Sequence, residues 1–267
     1  MKNEQQEIDK NRRVYQNNNI VSYYQFLTQL QPAEQSIINL LKEQLSTFKM
    51  LDMGVGGGRT TQYFAPLVKE YIGIDYSAEM IEVCQQKFMN TSPSFSLEVG
   101  DARNMSQFSD NYFDFILFSF NGIDYVSHDE RLQILQEIQR VGKSGCYVFF
   151  SSHNLQSMAI NFNYKAQISV NVFKTYVNLI MLGILKLFNT SVTRKQLQTA
   201  DYIVLRDESH NFRLQTYYIR PEAQIKQLEP YFNHIEIYSW KSGLKIVDQF
   251  DSCLNHDLWL YYLCQVK

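Results

Sequence analysis

The sequence predicts an α/β domain built on a doubly wound, mostly parallel sheet with helices on both faces. Two observations carry this expectation. Between residues 33 and 154, short apolar runs alternate with helical segments, the rhythm of strand–helix–strand units. The runs are apolar on both faces, as strands covered on both sides must be, instead of alternating apolar with polar. A length of 267 residues is ample for one such domain carrying an insertion.

Residues 1–20 are polar and rich in Asn and Gln, an arm more than a packed element. Over 21–45 the apolar residues Ile37, Ile38, Leu40, Leu41 and Leu45 recur at helical spacing, and Pro32-Ala33-Glu34 suits a first turn. Residues 48–53 read as the first strand, Gly54-Val55-Gly56-Gly57-Gly58 as the turn after it, and 59–68 as a helix. A second strand over 71–75 closes on Asp75, and Ser77 is placed to cap a helix over 78–88. Strands over 95–99 and 113–118, a helix over 129–141 and a turn at Lys143-Ser144-Gly145 lead to a fifth strand over 146–151.

Beyond residue 154 the rhythm breaks. Residues 168–188 are strongly apolar, and between Lys174 and Lys186 only Thr175, Tyr176 and Asn178 carry polar atoms. Those eleven residues fall short of the roughly 20 that a bilayer span needs. The segment reads as a buried helix, the interface of a homodimer, a lid over a pocket, or a helix lying on a membrane surface. Strands over 202–205 and 212–219, a helix over 221–228 and strands over 235–240 and 258–266 return the chain to sheet. The expected organisation is an arm or helix over 1–32 that covers the site, a core from 33–154 and 213–267, and an insertion or lid over 155–212.

Composition narrows the function. Twenty-five basic residues against twenty-seven acidic ones leave a net charge of −2, with no global attraction for a phosphate backbone. Aromatic residues reach 14%, which suits either an aromatic core or an aromatic-lined pocket for an organic ligand. Cys84, Cys146, Cys253 and Cys264 show no CxxC spacing, and the N-terminal stretch lacks the apolar run of a signal peptide. Reduced thiols in a cytoplasmic protein are therefore expected.

A strand, a glycine-rich turn and a helix make a site for the polar part of a nucleotide-like ligand, because glycines admit the ligand to the backbone and the helix offers free N–H groups. An acid ending the next strand can accept from both ribose hydroxyls, and Asp75 stands 21 positions after Gly54. Two details separate the ligands that share this design. A dinucleotide fingerprint begun at Gly54 places Arg59 where a small residue is needed for close helix–strand packing. Asp52, just before the loop, also puts negative charge where a pyrophosphate would lie. It suits a sulfonium and an α-ammonium instead, so S-adenosylmethionine is favoured over NAD.

Leu51-Asp52-Met53-Gly54-Val55-Gly56-Gly57-Gly58-Arg59-Thr60 resembles the first motif of the class I S-adenosylmethionine-dependent methyltransferases, in particular the small-molecule branch. Gly73-Ile74-Asp75-Tyr76-Ser77-Ala78-Glu79-Met80 resembles the motif at the second strand, Gly100-Asp101-Ala102 the third, and Phe113–Phe118 the fourth strand. Arg140-Val141-Gly142-Lys143-Ser144-Gly145 is similar to the turn before the fifth strand, with departures confined to that turn. The resemblance covers about 33–154 in order, with 221–267 similar to the family's closing helix and hairpin. It implies a Rossmann-like seven-stranded sheet in the order 3-2-1-4-5-7-6, strand seven antiparallel, with S-adenosylmethionine across the carboxyl ends of strands one and four. Carried over by motif, Asp52, Gly54 and Gly56 hold the methionine end, and Phe118 borders it. Asp75 binds ribose, Tyr76 and Met80 lie against the ribose–adenine region, and Asp101 and Ala102 contact adenine.

The acceptor side falls to the loop after strand four, the segment after strand five, the insertion and the N-terminal helix. Tyr24, Asn121, Asp124, Tyr125 and His153 are the candidate substrate-binding residues, and His153 is the candidate base. Tyr15 and Tyr23 could join Tyr24 over the cofactor; His128 and His210 are weaker alternatives, and only one of Tyr217 and Tyr218 can face the pocket. The loop 119–125 contains no proline, unlike the motif of the amino-DNA methyltransferases, which argues against a nucleobase acceptor. No acid–His cluster resembles that of the cation-dependent O-methyltransferases, so no metal is expected. Near-neutral charge, aromatic excess and the apolar insertion point to a small or peptide-derived acceptor. O-methylation is favoured, with a carboxylate acceptor as in peptide natural-product tailoring. Small-molecule N-methylation, a tRNA or protein acceptor, and a non-catalytic module that binds S-adenosylmethionine remain alternatives.

Overall fold

The computed structural model describes residues 26–89, 95–208, 211–248, 254 and 256–267. Tyr15, Tyr23, Tyr24, His210 and Cys253 lie outside the described residues. The strands are β1 (Lys49–Met53), β2 (Glu70–Asp75), β3 (Phe95–Val99), β4 (Phe113–Phe118), β5 (Gly142–Asn154), β6 (Tyr202–Leu205), β7 (Thr216–Ile219), β8 (Phe232–Ser239), β9 (Lys245–Ile246) and β10 (Trp259–Val266). Their order is β3-β2-β1-β4-β5-β10-β8-β9, with β7 alongside the end of β5 and β6 paired to β7. The first five strands run parallel, and β10 is antiparallel to both β5 and β8. With β8 as the sixth strand and β10 as the seventh, this is the order 3-2-1-4-5-7-6; β9 and the β6–β7 pair are additions at its margins.

The helices are α1 (Pro32–Leu41), α2 (Thr61–Phe64), α3 (Ala78–Phe88), α4 (His128–Val141), α5 (Leu155–Asn161), α6 (Val172–Phe188), α7 (Arg194–Thr199) and α8 (Pro221–Leu228). Alternation along the central strands feeds two cores. Ile116 and Phe118 of β4 face one side with Ile134 and Ile138 of α4, while Phe115 and Leu117 face the other with Ile37 of α1 and Ile81 of α3. In β10, Leu260 and Tyr262 join the first core and Tyr261 and Leu263 the second. Much of the aromatic content is spent here: Phe113, Phe115, Phe149 and Tyr261 are fully buried.

Several elements differ in extent from the sequence expectation, three of them for a plain local reason. Helix α1 begins only at Pro32, where a capping box closes it as Gln31 N–H donates to Glu34 Oε2 at 2.7 Å. The helix expected over 59–68 shortens to α2 and a 3₁₀ turn over Ala65–Leu67, because Pro66 has no N–H with which to continue. The turn expected at Lys143–Ser144–Gly145 is absorbed into β5 as a bulge: Gly142 pairs with Phe113 and Tyr147 with Phe115.

Gly58 shows how tightly the loop after β1 is held. Its φ is +77°, and a Cβ there would lie 2.4 Å from Phe88 Cε2 and 2.7 Å from Cys84 Sγ. Gly58→Ala is expected to cost about 2–4 kcal/mol through overpacking and left-handed strain. Urea denaturation checks this, and an unchanged midpoint would contradict the packing.

Candidate active site

The sheet order reverses between β1 and β4, and the crevice at that switch point is where an open α/β sheet binds its ligand. A cavity of about 430 Å³ opens there. Its lining includes Asp52, Gly54, Gly56, Asp75, Tyr76, Met80, Asp101, Ala102 and Phe118, so the fold brings all nine sequence-assigned cofactor residues to one space.

Asp75 ends β2 facing the glycine loop. Its Oδ2 accepts from Gly56 N–H at 3.0 Å and its Oδ1 from Ser77 N–H at 2.9 Å. Burial pushes its carboxyl up to about 6, against the two backbone bonds that favour the anion. Asp52, at the other side of the loop, is likewise pushed up to about 6 by burial. Its Oδ2 accepts from Thr60 Oγ1 at 2.5 Å and from Tyr71 Oη at 2.6 Å, both of which oppose the shift.

Asp101 departs from the expected arrangement in one respect. Its carboxylate is held by Arg103, whose Nη2 lies 2.6 Å from Oδ2 while Nη1 reaches Glu130 at 2.5 Å. Arg103 and Glu130 both line the cavity, and sequence reading missed them; an arginine two residues after the motif acid was the available signal. Arg59 was also missed. Buried beneath the loop, it makes a bidentate pair with Glu34 of α1 at 2.5 and 2.7 Å, and its Nη2 donates to Ser119 Oγ at 3.2 Å. Glu34 Oε1 further accepts from Ser119 and from Tyr261. The residue that was a poor fit for a dinucleotide loop is here the tie between loop, N-terminal helix and last strand.

On the acceptor side, Phe120 and Asn121 both take left-handed backbone (φ +58° and +62°), a strained pair that Ser151 Oγ holds by accepting from Asn121 N–H at 2.8 Å. Phe120 and Tyr125 line the cavity; Asn121, Asp124 and His153 are buried behind that lining. Asp124 is wholly enclosed. Its Oδ1 accepts from Arg131 Nη1 at 2.5 Å and Ser152 Oγ at 2.8 Å, and its Oδ2 from His153 N–H at 2.6 Å. The Nδ1 of His153 also meets Oδ2, at 2.7 Å. With Nδ1 carrying the proton toward Asp124, Nε2 bears the lone pair, 3.4 Å from Asn121 Nδ2. Tyr125, Tyr218 and Trp259 stand around the imidazole at ring distances of 6.2, 4.9 and 6.3 Å.

Other candidates serve packing. His128 Nδ1 lies 2.8 Å from Tyr217 Oη and its ring stacks on Tyr202 at 4.5 Å. Neither Tyr217 nor Tyr218 lines the cavity; Tyr218 donates to Asp207 at 2.6 Å. Among the described residues, no group of three or more His, Cys, Asp or Glu could hold a metal ion.

A glycine loop, an acid on the next strand and a crevice at the switch point define a nucleotide-type α/β domain, and the comparisons say what it is similar to. Residues 50–145 match the model of a methyltransferase domain. A methyltransferase from Mesorhizobium loti that depends on S-adenosylmethionine superposes with a TM-score of 0.57 at 12% identity, covering 87% of this chain and 97% of its own. Another from Clostridium acetobutylicum gives 0.56 at 16%, covering 88% and 91%. The N-methyltransferase NodS from Bradyrhizobium japonicum, in complex with S-adenosylhomocysteine, gives 0.51 at 14%, covering 88% and 85%. No curated protein sequence matches the chain. The chain therefore carries a match to a methyltransferase domain over residues 50–145 and shares its fold with solved methyltransferases that depend on S-adenosylmethionine. The cavity fits that molecule: its lining has four carboxylates against two guanidiniums, each already paired with an acid, which favours a sulfonium and an ammonium over a phosphate.

Proposed function

We propose that this chain is an enzyme that methylates a hydroxyl or amine of a small or peptide-derived organic acceptor, with His153 as its general base. The Asp124–His153 pair beside the cavity carries this reading, because it fixes one imidazole nitrogen as a proton acceptor. Asp52, Gly54 and Gly56 would hold the methionine end, with Phe118 against it. Asp75 would accept from the ribose hydroxyls, Tyr76 and Met80 would pack on the ribose and adenine, and Ala102 with the Asp101–Arg103 pair would meet the adenine edge. S-adenosylmethionine, when bound, supplies a methyl group activated by the sulfonium. The protein's part is to align the acceptor, exclude water and remove one proton: Nε2 of His153 takes it as the acceptor atom's lone pair forms the new bond to carbon, and the broken bond's pair goes to sulfur. Asn121, whose Nδ2 lies 3.4 Å from that nitrogen, and Tyr125 of the cavity lining would orient the acceptor. Residues 33–154 and 213–267 form the catalytic core in this reading, 155–212 an insertion, and 1–32 the cover in which Tyr24 would lie.

The base favours a hydroxyl acceptor over a carboxylate, which has no proton to remove near neutrality. The test is methyl transfer from labelled S-adenosylmethionine into a metabolite extract, then kcat at saturating cofactor on the acceptor found. His153→Ala is expected to lower kcat by about 10²–10⁴-fold. Little loss would replace this mechanism with one on a carboxylate. Absence of any transfer would leave a module that binds the cofactor only.

A further inference from the structure

Helix α6 is built inside out. Its polar side chains turn inward: Thr175 Oγ1 donates to Ser169 O at 3.0 Å and Asn178 Nδ2 to Gln167 O at 3.2 Å, beside the buried Leu182 and Leu185. Its apolar side chains turn outward, with Phe173 75%, Tyr176 62% and Leu187 72% exposed, and Val172, Leu179 and Ile180 exposed with them. At about 100° per residue, Lys174 and Lys186 fall at opposite borders of this apolar arc. Long basic side chains at such borders reach past an apolar face to charges beyond it.

Charge sets the partner. Residues 155–200 contain Lys165, Lys174, Lys186, Arg194 and Lys195 and no Asp or Glu, so this segment carries +5. The rest of the chain has twenty cations against twenty-seven carboxylates, a net −7. None of the five cations is in an ion pair among the described residues. We infer that the outer face of α6 docks on an anionic phospholipid surface, its apolar arc at the headgroup–acyl boundary and its lysines on lipid phosphates. A symmetric dimer through the same face would set one +5 segment against another. Residues 1–25, with four cations and three carboxylates, offer no countercharge either. No described helix is long and apolar enough to cross a membrane, so the contact is with the surface.

The test is co-sedimentation of the full chain with phosphatidylcholine vesicles, with or without phosphatidylglycerol, alongside light scattering for its mass in solution. The expected result is a monomer that sediments with the phosphatidylglycerol vesicles, less so at high salt, and weakly with phosphatidylcholine alone. Each of Lys174→Gln and Lys186→Gln should weaken partitioning by about fivefold. Phe173→Glu with Ile180→Glu should abolish it without moving the thermal transition, since both side chains face outward. A chain that fails to sediment overturns the inference. So does one whose partitioning the double glutamate variant leaves intact, and so does a dimer that this variant converts to monomer.

Discussion

Asp75→Ala is expected to remove S-adenosylmethionine binding as calorimetry detects it, while the chain still unfolds cooperatively. Under the proposed ribose assignment the lost interactions would be charge-assisted hydrogen bonds to ribose hydroxyls, each contributing about 1.5–3 kcal/mol, so two of them would amount to at least about a hundredfold in affinity. The variant also frees the N–H groups of Gly56 and Ser77 that Asp75 holds, so the loop loses a tether as well as the ligand an acceptor. The wild-type chain should show the same dependence in its pH profile. Burial sets the carboxyls of Asp52 and Asp75 at about 6, so affinity for a cationic ligand should fall as pH drops through 6 and both become neutral. Stability of the unliganded chain runs the other way. Carboxyls raised from 3.8 to about 6 on folding hold protons that the unfolded chain has released, so stability declines as pH rises across that window. Bound cofactor offsets the decline. Unchanged binding in Asp75→Ala would remove the ribose assignment; a flat affinity profile across pH 6 would show that neither carboxylate meets the ligand's charge.

Glu34→Ala is expected to destabilise the fold by about 3–5 kcal/mol, because it strands a buried guanidinium. Arg59 and Glu34 are both enclosed, and no other carboxylate pairs with Arg59 among the described residues. Adding Arg59→Met to Glu34→Ala should recover part of the loss, since an apolar side chain in that space needs no counterion. Equilibrium denaturation of the single and double variants checks both statements. A loss under about 1 kcal/mol in the single variant would mean that water reaches the guanidinium.

What the sequence disclosed follows from how far apart the cooperating residues lie. Strands β1, β2, β4 and β5 were legible because each is a short apolar run covered on both faces. The lining of the cavity was legible because its residues stand at strand ends, at spacings the sheet imposes: Asp52 beside the glycines, Asp75 at the close of β2, Asp101 just past β3. The Glu34–Arg59 pair was not legible, since 25 positions separate its members and either alone reads as a surface charge. Nor was the Arg131–Asp124–His153 chain, in which α4 supplies a fully buried cation to a loop acid and a strand histidine. Helix α6 inverted the ordinary inference from hydrophobicity. Its apolar residues left burial, a dimer interface, a lid and a membrane surface all open, but its few polar side chains bond to the preceding turn and so fix which face lies inside.

The place of β10 bears on how the chain must be made. It follows β5 and β8 in sequence and is wedged between them, and its Tyr261 donates to Glu34 across 227 positions of sequence at 3.0 Å. Until β10 is in place, β5 and β8 have unpaired edges facing one another, the kind of surface on which incompletely folded chains adhere. The carboxylate that anchors the glycine loop waits on the same event. The cavity at the glycine loop is therefore tied to a strand far along the chain, and a chain lacking β10 would have an open sheet.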